Sequence, residues 1–458
     1  MPALGNPEAA VQAAAMQDEL QQRGIVGVAF SFLDNSGIAR TKGVPLARLP
    51  QAAQWGVGMA PSFDVSLLDD SSTSSASAGG PVGDLRLIPD LDALRPLVAE
   101  PGWAWAPVER WSQEGKPHPQ CQRSLVRQTV DAVGAMGLQV KTAFEIEWML
   151  SCAEGDDYEP VTRAPAYGSI RMTELSDYTA ELLSALAEQG IEVMQLHPEF
   201  SPGQFELSVA HGNPLQAADD NMLARRTIRA VGLKHGMRTT YSPVVEEGQV
   251  GNGSHCHFSL WRDAHNLLAN GDGPHGMSAE GEAFLAGILR DMPALLAVGA
   301  PSVASYLRLQ PSHWSGDFQC WGLENREAAL RFVAGPSAVA ESSANAEVKC
   351  LDATASSYLV IAAIVSLGLS GVREQLSLPQ ELLVDPATLS EAQLREHGIR
   401  QLPGSLQQSI DAFAGCEVLR SAFGQDLFET LIAVRRAELA LFAKSNPQQI
   451  IAATRWRY

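Results

Sequence analysis

Two hydrophobic periods divide the chain. The N-terminal stretch "MPALGNPEAAVQAAAMQDELQQRG" spaces its apolar residues among acids and amides and predicts a surface helix. In "GIVGVAFSFLDNSGIARTKGVPL", strand-like runs flank Asn35-Ser36-Gly37, a turn combination that predicts a hairpin. "GDLRLIPD" (Gly83 to Asp90) predicts a further short strand, whereas "DDSSTSSASAGG" (Asp69 to Gly80) has no apolar area to bury and predicts a mobile loop. After the Pro/Gln-rich "EGKPHPQCQ" the pattern changes. "QRSLVRQTVDAVGAMG" predicts a helix, "FEIEW" a strand, and helical runs then alternate with strands as far as helices around Phe423 to Lys444. The uncharged run Tyr358 to Val372 contains Gly and Ser, falls short of a bilayer-spanning length and predicts a buried helix. These shifts divide the chain into a mostly β N-terminal domain, 1–118, and a larger domain, 119–458.

Within "FEIEW" the glutamates Glu145 and Glu147 stand two apart, so a strand directs both to one face. Three other segments share this character. "QLHPEFSPGQFELSV" sets Glu199 and Glu206 in strand-like runs on either side of a Ser-Pro-Gly turn. "GNGSHCHFSLW" sets His255 and His257 on one face after a glycine-rich turn, and "NAEVKCLD" carries Glu347. Converging carboxylates raise one another's pKa and need a metal or arginine partners, and an oxygen-rich set with one imidazole suits Mg²⁺ or Mn²⁺ better than zinc. Taken singly, Glu-x-Glu on a strand is more often a solvated face, and Arg308, Arg326 and Arg331 are ordinarily ion-paired surface residues.

Composition narrows the partners. The 458 residues carry a net charge of −19 and show no basic patch, which argues against nucleic acid or an anionic membrane as a partner. The N-terminus has no basic, apolar leader, which implies a cytoplasmic location. Six cysteines without C-x-x-C spacing predict reduced, mostly buried thiols. Neither a phosphate loop of the G-x-x-x-x-G-K-[ST] type nor a G-x-G-x-x-G turn after a strand is present.

The order of "FEIEW", "HPEFSPGQFELS", "GNGSHCHFSLW", "YLRLQPSHW...WGLENREAALRF" and "AEVKCLDATASSYL" resembles the glutamine synthetase family over nearly the whole length. That resemblance implies an α/β (α+β) fold, with a small β-grasp-like domain before a larger one whose curved antiparallel sheet and flanking helices form a funnel-shaped site. It implies homo-oligomers, typically a dodecamer of two hexameric rings, with sites at subunit junctions. It also implies ATP-dependent ligation of an amine to the γ-carboxylate of glutamate through an acyl phosphate, with at least two Mg²⁺ or Mn²⁺ ions per site. Carried over position by position, Glu147, Glu199 and Glu206 correspond to ligands of one cation, and Glu145, His255 and Glu347 to ligands of the other. His257, Ser259 and Arg331 correspond to ATP contacts, Arg308 and Lys349 to contacts with glutamate, with Gly251 or Gly253 supplying a backbone contact. Arg326 corresponds to a contact with the transferring phosphoryl group, and Asp64 to an aspartate that a neighbouring subunit lends to the ammonia site.

The chain also departs from the family. Six residues after Arg308, where the family has a flap glutamate that takes a proton from ammonium, stands Trp314. Asn345 and Lys349 replace arginines, and no tyrosine occupies the region of "REQLSLPQELL" where the family is adenylylated. An indole suits an organic amine better than ammonia, and since it adds no acid for a second ammonium, a small monoamine such as ethanolamine or an alkylamine is expected, as in the monoamine branch of the family. The alternatives are a glutamine synthetase proper, a polyamine-specific γ-glutamyl ligase, and a non-catalytic assembly protein.

Overall fold

A computed structural model describes residues 3–458; Met1 and Pro2 of the N-terminal stretch lie outside the described residues. The helix Pro7–Gln22 opens on Asn6, whose side chain accepts from the Glu8 amide, and rests on the first of two sheets. That sheet has six strands in the order Ala39–Pro45, Gly27–Leu33, Trp103–Trp111, Leu85–Pro89 and Val57–Met59, with Arg95–Pro96 alongside Trp103–Trp111. Gly27–Leu33 and Ala39–Pro45 form the expected hairpin, its turn held by the Asp34 carboxylate, which accepts from the Ser36 and Ile38 amides and from Arg40 Nε. Gly27–Leu33 runs parallel to Trp103–Trp111, and the other pairings in the sheet are antiparallel. The Ser-rich stretch after Asp69 lies against the helix Gln425–Leu441, with Ser75 Oγ 2.8 Å from Thr430 Oγ1.

The second sheet has nine strands. Its main path runs Phe318–Leu323, Ala328–Val333, Asn345–Val348, Cys256–Arg262, Gln139–Ser151, Gln204–Val209 and Val193–Pro198, with His265–Asn266 and Arg238–Thr240 attached at the flanks. All its pairings are antiparallel except that of Phe318–Leu323 with Ala328–Val333. One face is apolar: Phe144, Ile146 and Trp148 of the long strand are at most 3 % exposed and pack towards helices. Among these, the helix Ser357–Glu374 is long and apolar enough to cross a membrane, yet 78 % of it is buried inside the protein. It crosses Ala279–Arg290 at backbone distance, because a Cβ on Gly287 would lie 2.3 Å from the Leu367 carbonyl and one on Gly371 2.0 Å from that of Ala283. All six cysteines are free and five of them are buried.

Arg123 ties the first sheet to the helices packed against the second. It is buried at the start of the helix Gln122–Ala135, where its guanidinium reaches Asp219 at 2.7 Å, Asp90 at 2.8 Å and Glu109 at 3.3 Å. Glu109 belongs to the first sheet, and Asp219 lies on the helix Pro214–Lys234, where it also accepts from the Tyr358 hydroxyl at 2.6 Å. Removing the cation from a buried set of this kind leaves carboxylates uncompensated, at a typical cost of about 3–5 kcal/mol. Arg123→Met is therefore expected to lower stability by roughly that amount in chemical denaturation; a loss below about 1 kcal/mol would mean that Arg127, 2.7 Å from Glu109, suffices alone.

Candidate active site

The polar face of the nine-stranded sheet floors a cavity of about 930 Å³. Cross-strand register arranges its charges in two rows. Arg331, Glu347 and His257 are direct neighbours on three adjacent strands, and Glu147, Glu206 and His197 on three others. Since side chains alternate along each strand, the same pairing that buries Phe144 and Ile146 delivers Glu145 and Glu147 to the cavity. Glu199 sits one residue beyond Val193–Pro198, in the turn and not in a strand, and His255 immediately precedes Cys256–Arg262.

Two groups of potential ligands result. In the first, His255 Nδ1 lies 3.2 Å from Glu145 Oε2 and 3.1 Å from Glu347 Oε1, and Glu145 Oε1 is 3.3 Å from His257 Nε2. The second joins Glu199 and Glu206 to His197, whose Nε2 is 3.2 Å from Glu206 Oε1. The sequence expectation grouped Glu147 with Glu199 and Glu206, and in the structure it is the cross-strand neighbour of Glu206 and also reaches towards His255. One oxygen of Glu147 accepts from Gln204 Nε2 and the Gly253 amide, both at 2.9 Å, while the other lies 3.7 Å from His255, so the side chain stands between the groups. His197 escaped notice although it lies two residues before Glu199. Tyr167, whose hydroxyl donates to Glu199, escaped as well.

Electrostatics distinguishes the groups. Burial raises the pKa of Glu145 and of Glu347, but histidines outweigh it at Glu145, and Lys349 with the histidines at Glu347; both carboxyls end below their ordinary range. In the second group, burial, with Glu145 and Glu147 adding repulsion, pushes Glu206 up to about 7, and burial with Glu147 raises Glu199. The hydrogen bond to Glu206 lifts His197 to about 9. Buried, mutually repelling carboxylates with hard oxygen donors are what a divalent cation neutralises, so both groups fit one.

The cationic residues divide. Arg308 is buried, with Nη2 3.2 Å from His255 Nε2 and Nη1 without a partner. Arg331 bonds Glu347 at 3.1 Å and Glu324 at 2.6 Å. Lys349 Nζ is 3.0 Å from Glu347 Oε1, so its charge is committed to that carboxylate before any substrate arrives. Arg326 lines the cavity with no carboxylate in ion-pair range among the described residues, its guanidinium 5.7 Å from the centroid of the Trp314 ring. Of the two glycines, Gly251 lines the cavity, while the Gly253 amide is spent on Glu147; a Cβ there would lie 2.4 Å from His255 Nε2 and 2.7 Å from Arg308 Nη2.

Trp314 is 53 % exposed at the cavity mouth, which rules out a core role for it. Two other residues lie outside the lining of their own chain's cavity. Asp64, which the resemblance assigns to a neighbouring subunit's site, is buried, with one oxygen on Arg110 and the other 2.8 Å from His118. Burial raises its pKa, but Arg110 and His118 outweigh this and hold the carboxyl below its ordinary range, so within its own chain it is a weak proton acceptor. Ser259 is also outside the lining, its Oγ accepting from Trp261 Nε1 at 2.8 Å.

Converging carboxylates and arginines on one sheet suit a site for divalent cations and anionic substrates, and the likeness to known proteins makes this an ATP-dependent, amide-forming ligase. Residues 119–452 match the model of the glutamine synthetase catalytic domain. Gamma-glutamylpolyamine synthetase GlnA3 of Streptomyces coelicolor is 47 % identical over 99 % of this chain and 98 % of its own. Glutamine synthetase of Pyrococcus horikoshii is 28 % identical over 96 % of each chain. A crystal structure of a novel glutamine synthase homolog superimposes with a TM-score of 0.84 at 32 % identity, covering 95 % of this chain and 99 % of that one. The chain belongs to the glutamine synthetase family.

If the two carboxylate groups hold divalent cations, millimolar Mg²⁺ or Mn²⁺ raises the thermal midpoint of the protein, since a ligand at 100 times its Kd stabilises by about 2.7 kcal/mol. EDTA is expected to reverse the shift, and Glu145→Gln and Glu199→Gln each to diminish it. A wild-type midpoint indifferent to both ions and chelator would remove the cation assignment.

Proposed function

We propose that the protein joins a primary amine of a polyamine to the γ-carboxylate of glutamate, driven by ATP. The observation that carries this reading is the 47 % identity, along almost the full length of both chains, to a gamma-glutamylpolyamine synthetase. It outweighs the expectation of a small monoamine. The cavity mouth also suits a long amine, since Tyr167, Phe200 and Trp314 are each more than half exposed there and offer rings to methylenes and ammonium groups.

In this reading glutamate lies along the cavity with a carboxylate on the unpartnered Nη1 of Arg308. Its γ-carboxylate oxygen attacks the terminal phosphorus of ATP, the bond to ADP breaks, and γ-glutamyl phosphate forms. Arg326, free of carboxylate partners, and Arg331 meet the charge on the transferring phosphoryl oxygens. Mg²⁺ or Mn²⁺ on the two carboxylate groups supplies electrophilic charge and a template for the phosphates. A deprotonated amine then attacks the acyl carbon, phosphate departs, and the nitrogen sheds its extra proton. The assembly is taken to be two stacked hexameric rings in the cytoplasm, where ATP and glutamate are plentiful.

Phosphate release from ATP and glutamate, measured with ammonium, ethanolamine, butylamine and polyamines, tests the reading. Polyamines are expected to give the highest kcat/KM; preference for ammonium or ethanolamine would overturn it. Arg308→Ala is expected to raise the KM for glutamate roughly 30-fold or more, because truncating one partner of a desolvated charged pair costs about 2–5 kcal/mol. An unchanged glutamate dependence would place the acid substrate elsewhere.

A further inference from the structure

Behind Trp314 lies a set of acids without cations. Burial raises the pKa of Glu327 and of Asp317, Asp385 adds repulsion at both while Lys349 and His313 offset it in part, and none of the three acids has a lysine, arginine or histidine within ion-pair distance among the described residues. Glu327 is 6 % exposed and Asp317 2 % exposed, yet Glu327 Oε2 and Asp317 Oδ1 have no hydrogen-bond partner. Buried carboxylate oxygens are seldom left so, since each forfeits its hydration without return. The remaining oxygens hold the turn that carries the indole. Glu327 Oε1 accepts from the Trp314 amide at 3.0 Å, Asp385 Oδ2 from Ser312 Oγ at 3.4 Å, and Asp317 Oδ2 from Gln401 Nε2 at 3.2 Å.

The turn has two faces. On one side Ser312, His313 and Trp314 line the cavity; on the other Ser312 and Trp314 are tied to the acids. Ser312 and Trp314 both have positive φ, at 60° and 52°, a conformation that side-chain-bearing residues hold only when their surroundings impose it. None of the three acids lines the cavity itself; the turn at Ser312–Trp314 stands between them and it, so a cation that meets the orphaned oxygens from the cavity side requires this turn to shift.

We propose that Glu327 and Asp317, with Asp385 at the rim, form the subsite for the second ammonium of the amine substrate. The inference rests on the polyamine reading and names the residues that would select for it. The reacting amine sits among the carboxylates and arginines of the sheet, the methylenes run over Trp314, and the distal ammonium takes the two unmet oxygens. Such an arrangement rejects ammonia and short monoamines by leaving a buried charge set unpaired, which discriminates more strongly than any added apolar contact.

The test compares 1,4-diaminobutane with n-butylamine, which match in chain length and differ by one ammonium. Binding to the full-length protein is measured by calorimetry in the presence of glutamate and a non-hydrolysable ATP analogue, and kcat/KM by phosphate release. Glu327→Gln is expected to reduce the diamine-to-monoamine ratio in both measurements by about tenfold, and Asp317→Asn in the same direction. Should the substitution at Glu327 impair folding, Asp385→Asn, at a half-buried position, is expected to shift the ratio by a smaller factor. An equal change for both amines reveals a purely structural role and overturns the subsite, as does wild-type protein that binds the two alike. Failure of every polyamine to accelerate phosphate release overturns the proposed function instead, and the binding ratio still decides the subsite.

Discussion

Repulsion between carboxylates is the constraint on which this structure turns. Five glutamates from four segments of chain meet above one sheet, and burial would drive their protons back on were it not for the histidines, arginines and lysine interleaved with them. The interleaving follows from strand register. Glu347 lies between His257 and Arg331, and Glu206 between Glu147 and His197, so each acid is delivered with a basic neighbour. On the side of Glu199 and Glu206 the compensation is thinner, which is why Glu206 rises to about 7 while Glu145 and Glu347 fall. The fold therefore carries uncompensated negative charge concentrated at one end of the cavity, which a divalent cation would relieve.

A floor under such tension has to be held rigidly. The apolar face of the sheet is sealed by helices, two of them crossing so closely that Gly287 and Gly371 leave no room for a side chain. Arg123 does the corresponding work between the first sheet and the helices packed against the second, converting three buried acids from a liability into a joint. In both places the packing fixes strands against slippage. Slippage by one residue would turn Glu145 and Glu147 into the core and Phe144 and Ile146 into the cavity.

Period-two patterning made much of this legible before any coordinates. "FEIEW" states both faces of its strand, and His255, His257 and Glu347 are readable from alternation together with family order. What escaped depends on contacts distant in sequence. Nothing in "PSFDVS" discloses that Asp64 is held within its own chain by Arg110, 46 positions away, and by His118. Ser259 looked like an ATP contact until Trp261 claimed its hydroxyl. Glu147, grouped with Glu199 and Glu206, is also held by Gln204 and the Gly253 amide between the groups. His197 and Tyr167 carried no motif of their own, and Glu327 was obscured by the arginines flanking it in "ENREAALRF".

The sheet and the turn at Ser312–Gly316 differ in how they are built. The clustered charges of the cavity floor sit mostly on strands whose register fixes them, whereas Trp314 sits on a short irregular segment anchored mainly by side-chain hydrogen bonds. Substitutions there alter what the mouth of the cavity admits without touching the register of any strand. In an architecture of this kind the mouth of the cavity can be reshaped by a handful of substitutions while the paired strands of the floor stay as they are, so the two parts of the site are free to diverge at different rates.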